Sequence, residues 1–169
     1  MWRRSAPRTR RPRRVRAASG LTGAPGAAYI VLVHFLGVDL GRATIGVALA
    51  DEVLRTARAL ETIRRSTEER DLDALRRIGE DYEVTIAVLG LPFNMDGTEG
   101  ASARLARAFA PRLQAALGVP VELFDERLST FEAEQRLRAR GVSARDQRSR
   151  IDAEAAAVIL QWWLDSRKG

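Results

Sequence analysis

Phe35-Leu36-Gly37-Val38-Asp39-Leu40-Gly41-Arg42-Ala43-Thr44-Ile45-Gly46-Val47-Ala48-Leu49-Ala50-Asp51 is two apolar runs with Gly41 at the break between them. It reads as a pair of antiparallel strands joined by a tight turn. One carboxylate, Asp39, sits near the end of the first run on rigid backbone beside glycine. Burying a carboxylate there is costly unless it meets a cation or a hydrogen-bond donor. A divalent metal is one such partner.

Outward from this hairpin, the first strand is expected over Ile30–Leu40, the second over Thr44–Ala50, and a third over Arg55–Ile63 completes a meander. Ser66 and Glu69 have capping-box spacing. Leu72, Leu75, Ile78 and Tyr82 behind them mark one face of a helix. Val84–Leu91 is a short, nearly continuous apolar run, the pattern of a central strand covered on both faces. Asp96-Gly97 marks the turn of the loop that follows. A second helix spans about Ala101–Leu117 with Leu105, Phe109 and Leu113 on its apolar face, and Gly118 and Pro120 end it. Val119–Phe124 is the fifth strand and runs into Asp125-Glu126-Arg127-Leu128-Ser129-Thr130. Ser129 and Glu132 have capping-box spacing and open a helix to about Arg140. A basic loop then precedes a last helix over Ile151–Ser166. The order predicts an α/β domain: a five-stranded mixed sheet, a three-strand antiparallel meander plus two parallel strands, flanked by helices.

The chain has 169 residues and no cysteine, which excludes disulfides and thiolate metal sites. Any metal must be held by oxygen or by His34, the only histidine, and His34 itself reads as an ordinary strand residue. No uncharged apolar run reaches the ~18 residues of a membrane span. The net charge of +6 is unevenly spread: residues 1–30 carry eight arginines and no acid, and the remainder is close to −2. Residues 1–29 therefore read as a disordered basic tail and 30–169 as a single domain. The tail has two readings, a nucleic-acid arm or an extension upstream of a start at Val31 or Val33. It lacks the apolar core of a signal peptide, so a cytoplasmic protein is expected.

Three acidic positions lie at element ends beside small or polar residues: Asp39, the pair Asp125-Glu126, and Asp152 in the first turn of the last helix. Asp152 heads a stripe through Ala155, Ala156, Ile159 and Trp163 that faces the sheet. Each has a plainer reading, as a turn aspartate, an ion-pair partner of Arg127, or a dipole-favoured first-turn acid. Taken together they predict an oxygen-only site for Mg²⁺ or Mn²⁺, with two ions assisting phosphodiester cleavage. Adjacent strand residues face opposite sides, so one of Asp125 and Glu126 is the ligand. Glu126, with the longer reach, is preferred, leaving Asp125 to orient Arg127 or cap the next helix. Arg136, Arg138, Arg140, Arg145, Arg148 and Arg150 form a basic run between two of these positions. They are expected, with Arg127, to hold substrate phosphates.

These motifs, with Gly90-Leu91-Pro92-Phe93-Asn94-Met95-Asp96-Gly97-Thr98-Glu99-Gly100 and Ile151-Asp152-Ala153, resemble the YqgF (RuvX) family over about residues 34–165. The family's proteins are described as candidate pre-16S rRNA nucleases and candidate Holliday-junction resolvases. The resemblance implies an RNase H-like fold and a divalent-metal-dependent endonuclease. It implies catalytic carboxylates at Asp39, Asp125-Glu126 and Asp152; with the preference for Glu126 on reach, Asp39, Glu126 and Asp152 are the expected metal ligands. It also implies a substrate-facing loop at Asn94–Gly100, and either pre-16S rRNA or branched DNA as partner. A weak homodimer is compatible with it. The turn Arg42-Ala43-Thr44 departs from the family's usual bulkier, more basic turn. Two other classes compete: a non-catalytic nucleic-acid-binding module, and an ATP-dependent phosphotransferase, whose phosphate-binding hairpin resembles the opening motif.

Overall fold

A computed structural model describes residues 33–167 except 127, 128, 140, 142 and 143, and gives no side-chain detail for 129–131 and 144–149. The expected basic tail at 1–29 lies outside the described residues. The elements are β1 (His34–Leu40), β2 (Thr44–Asp51), β3 (Arg58–Arg64), α1 (Glu68–Asp81), β4 (Val84–Leu91), α2 (Ala101–Leu117), β5 (Val121–Asp125), α3 (Ser129–Ala139) and α4 (Ala144–Ser166). The sheet order is β3-β2-β1-β4-β5. β1–β2 and β2–β3 pair antiparallel, and β1–β4 and β4–β5 pair parallel. The predicted mixed sheet is therefore present, with β3 and β5 at its edges.

Strand alternation divides the core into two layers. Leu36, Val38, Ile45, Val47, Leu49, Ala87, Leu89 and Leu91 pack with Leu75 and Ile78 of α1 and with Phe109 and Leu113 of α2. The alternate residues Phe35, Ala48, Ala50 and Val88 meet Ala156, Ile159, Leu160 and Trp163 of α4. Trp163 lies edge-on to Phe35 at 5.1 Å. Its indole N–H donates to Glu122 Oε2 at 2.9 Å, which satisfies the buried polar end of the ring. Trp162 is half-buried and packs on the cluster of Ala133, Ala155 and Val158 that joins α3 to α4. Ala155 thus faces α3 rather than the sheet, which corrects one position of the expected stripe.

Two other expectations are corrected. The helix cap is Thr67, whose hydroxyl accepts from the Arg70 amide. Ser66 instead donates its backbone N–H to Asp71 at 3.0 Å. The residue three beyond Thr67 is Arg70, so no reciprocal glutamate bond forms. The last helix begins at Ala144, not Ile151, so the basic stretch before Asp152 is helical from Ala144 onward.

What brings α4 onto the sheet is the absence of side chains beneath it. A Cβ on Gly37 would stand 2.8 Å from the Ala156 carbonyl oxygen and 2.9 Å from Leu160 Cβ. One on Gly46 would collide with the Asp152 carbonyl. Backbone cannot retreat as a flexible side chain can. We expect Gly46→Ala to destabilise the fold by about 2–4 kcal/mol, at or above the usual cost of overpacking, read as a lower midpoint in urea. An unchanged midpoint would show that α4 is not seated this tightly.

Candidate active site

Asp39 is the penultimate residue of β1, paired in register with Gly46 of β2. It shares the parity of Phe35 and Gly37, so its side chain belongs to the α4 face. Glu126 follows β5 directly, and its amide donates to the Leu91 carbonyl at 3.3 Å, extending the β4–β5 ladder by one residue. It has the parity of Phe124, which packs with the α4 layer. Asp125 has the parity of Leu123, which packs on the opposite layer. Alternation therefore turns Glu126, and not Asp125, toward Asp39.

Asp152 comes to the same face from α4. It is eight residues beyond Ala144, two turns past the helix start. The helix dipole acts within the first turn, so it does not account for this aspartate. Its partner is Thr44, whose hydroxyl donates to Asp152 Oδ2 at 2.7 Å. Thr44 was not among the expected site residues. The available signal was alternation: Thr44, Gly46 and Ala48 share one face of β2, and that face meets α4.

The carboxylates interact strongly. Burial first, and then the Asp152 charge, raise Asp39 to about 7. Burial first, then Asp39 and Asp125, raise Glu126 to about 9. Glu126 Oε2 is buried and has no hydrogen-bond partner. It occupies the space above Gly90, where any Cβ would collide with it. A buried, unpartnered carboxylate oxygen among repelling carboxylates is donor chemistry that a bound cation would satisfy. The donors are all oxygen, which fits a hard divalent ion. As they stand, no group of three or more His, Cys, Asp or Glu side chains among the described residues is arranged to hold a metal. The fit therefore rests on donor chemistry and burial.

The arginine run is less uniform than its sequence suggests. Arg136 is held by Glu132 at 2.6 Å, and Arg138 lies 3.8 Å from Glu134. Both are pairs along α3. Arg150 is exposed on α4. Arg145 and Arg148 lie on α4 with side chains outside the description, and Arg127 and Arg140 lie outside the described residues. Asn94 is engaged within its own loop: its side-chain amide donates to Thr98 Oγ1 at 2.8 Å. The Thr98 amide donates to Asp96 Oδ1 at 2.9 Å. These bonds close the loop on itself just beyond the end of β4.

A family model described as "RuvX: Holliday junction resolvase" matches residues 33–166. A protein of Anaeromyxobacter sp. (strain K), named as a candidate pre-16S rRNA nuclease, is 74% identical over 132 residues, 78% of this chain and 96% of that protein. Relatives of the same name from Symbiobacterium thermophilum and Myxococcus xanthus are 53% and 49% identical, covering 78% and 79% of this chain and 91% and 88% of their own. Among solved structures, T. thermophilus RuvC in complex with Holliday junction substrate aligns with a TM-score of 0.54 at 20% identity, over 80% of this chain and 95% of that one. That likeness shows the fold, which is RNase H-like.

Both raised carboxylates have ordinary values near 4, so their folded forms cost nothing below about pH 4. Stability is lost as pH rises from about 4 to about 7 on account of Asp39 and from about 4 to about 9 on account of Glu126, and levels off above those values. In EDTA, wild-type protein is expected to melt lower at pH 8 than at pH 5. Asp39→Asn should recover on the order of 2 kcal/mol at pH 8, and added Mg²⁺ should raise the wild-type melting temperature more at pH 8 than at pH 5. Thermal denaturation across pH checks this, and a flat profile identical in wild type and variant would refute it.

Proposed function

The chain belongs to the RuvX family, and we propose that it is a divalent-metal-dependent endonuclease that hydrolyses phosphodiester bonds in structured nucleic acid, processing the 5′ end of pre-16S rRNA. The observation that carries this reading is the gathering of Asp39, Glu126 and Asp152 on one sheet face, with a buried Glu126 oxygen left without a partner. The names of the relatives favour the RNA substrate. The family's description favours a second reading, resolution of branched DNA. Among the described residues no helix is long and apolar enough to cross a membrane, in keeping with a cytoplasmic role in ribosome assembly. We assign the nuclease unit to residues 30–169.

In this reading Asp39, Glu126 and Asp152 hold Mg²⁺ or Mn²⁺, as two ions. Such ions, when bound, offset the charge of the scissile phosphate and lower the pKa of an attacking water. Thr44 restrains the rotation of the Asp152 carboxylate through its 2.7 Å hydrogen bond. Gly90 leaves room for the Glu126 carboxylate. Asp125, on the other face, contributes through its charge on Glu126. Arg150, with Arg145, Arg148, Arg127 and Arg140, is assigned to substrate phosphates. Arg136 and Arg138 would join them after leaving Glu132 and Glu134.

Asp39→Asn is expected to abolish cleavage of pre-16S rRNA and of a four-way DNA junction in Mg²⁺ or Mn²⁺, with the circular-dichroism spectrum retained. Full activity in this variant, or cutting by the wild type that survives excess EDTA, would sink the metal-carboxylate reading. Turnover of the junction but not of the rRNA would select the second reading. Thr44→Val should raise the Mg²⁺ concentration for half-maximal rate about 10–100-fold, the usual cost of losing a group that orients a ligand. Thr44→Ser should restore it.

A further inference from the structure

A site built from three carboxylates repels the polyanion it is meant to cut. Positive charge close to them is therefore required, and the α3 arginines are already paired with glutamates. The guanidinium that the β-sheet itself brings to the site is Arg64. In the β2–β3 ladder Arg64 is the cross-strand partner of Thr44. Directly opposed residues of an antiparallel pair put their side chains on the same face, about 5 Å apart at Cβ. Thr44 is the residue that grips Asp152, so Arg64 stands on the carboxylate face, one strand further out. It is exposed, and it makes no ion pair or side-chain hydrogen bond with any described residue. Arg42, in the turn between Asp39 and Thr44, is likewise exposed and unpartnered among the described residues. Arg76, Arg107 and Arg112, by contrast, are all engaged by carboxylates.

The backbone carrying these two arginines is braced. Arg65, the neighbour of Arg64, donates its amide to the Ala43 carbonyl at 2.9 Å. Its guanidinium donates to the Gly41 carbonyl at 3.1 Å and to Asp71 Oδ2 at 3.1 Å. Asp71 is only 1% exposed. This buried clamp ties the β1–β2 turn to the end of β3 and to α1. Arg42 and Arg64 are thus mounted on a rigid frame, with little backbone ordering left to be done on binding.

We propose that Arg64 and Arg42 form a phosphate-binding flank on the β3 side of the carboxylate site, gripping the sugar-phosphate backbone of the nucleic acid next to the bond to be cut. The proposal rests on the nuclease reading above and adds to it the side from which substrate is held. Being a contact to phosphate, the grip is independent of sequence and reads the same chemistry in RNA and DNA.

Each phosphate contact contributes about 0.9 to the slope of log K against log salt on duplex DNA and about 0.7 on single strands. The test is fluorescence anisotropy in EDTA with full-length protein, using a labelled pre-16S 5′-leader RNA and a labelled four-way DNA junction, titrated from about 50 to about 200 mM salt, the range over which such contacts are read. Arg42→Ala and Arg64→Ala should each lower the slope by about 0.7–0.9 on both probes, and the double variant by about 1.4–1.8. Arg64→Lys, which keeps the charge, should keep the slope. The matched control is Arg58→Ala, an exposed arginine at the other end of the same strand. It lies about 20 Å away along β3, more than twice the ~8 Å Debye length at physiological ionic strength, and should leave the slope unchanged. Slopes unaltered in Arg42→Ala and Arg64→Ala, or lowered equally by Arg58→Ala, overturn the flank while leaving wild-type cleavage, and so the nuclease reading, intact. A wild type that neither binds nor cuts either probe overturns both.

Discussion

The seat of α4 on bare backbone is the constraint from which the rest of the site follows. With Gly46 beneath it, the Asp152 carbonyl rests where a side chain would otherwise stand. The same contact brings the Asp152 carboxylate to the hydroxyl of Thr44, two residues earlier on the same strand face. Asp39 is the register partner of Gly46, so one close approach sets the positions of two carboxylates from different layers. Further along the helix, Ala156 over Gly37 repeats the device. Core packing and site assembly are here one act: Ile159 and Leu160 pull the helix down, and the glycines decide how far it comes.

That arrangement stores electrostatic cost. Burial and mutual repulsion hold Asp39 and Glu126 in a range where a carboxylate is ordinarily long ionised. Elsewhere the molecule avoids this expense. Asp71, only 1% exposed, has the Arg65 guanidinium and the Ser66 amide on its two oxygens. The contrast separates a structural carboxylate, fully satisfied by the chain, from carboxylates that the chain leaves unsatisfied, the pattern expected where stability is given up for function.

Alternation and apolar run length were enough to read the sheet and its two packing layers. The strongly patterned elements, Val84–Leu91 and Ala101–Leu117, match the structure end to end. Parity in the sequence says only that Asp125 and Glu126 face opposite sides, and the preference for Glu126 rests on its reach; which side each takes follows from the packing of Leu123 and Phe124 on opposite layers. The start of α4 was not legible because Ala144–Arg150 is polar and charged; its apolar stripe begins only where it meets α3 and the sheet. Thr44 escaped notice because its role depends on a residue 108 positions away, and no local pattern announces such a pair. Ser66 matched a capping motif, yet the backbone put Thr67 at the cap and gave the Ser66 amide to Asp71. Arg64 lies one residue beyond the third strand as expected from sequence, and only the register makes it the neighbour of Thr44.

β3 is an edge strand, and its exposed side chains are Arg58, Glu61 and Arg64. An open edge offers unpaired backbone groups to any other strand, and charged side chains along it are a recurrent guard against sheet-to-sheet addition. The alternating signs here, positive at both ends and negative between, also discourage a second copy from docking in the parallel, in-register sense, where like charges would meet. Solubility therefore places its own demand on this strand, and the composition of the edge answers to the behaviour of many molecules together as well as to what a single one binds.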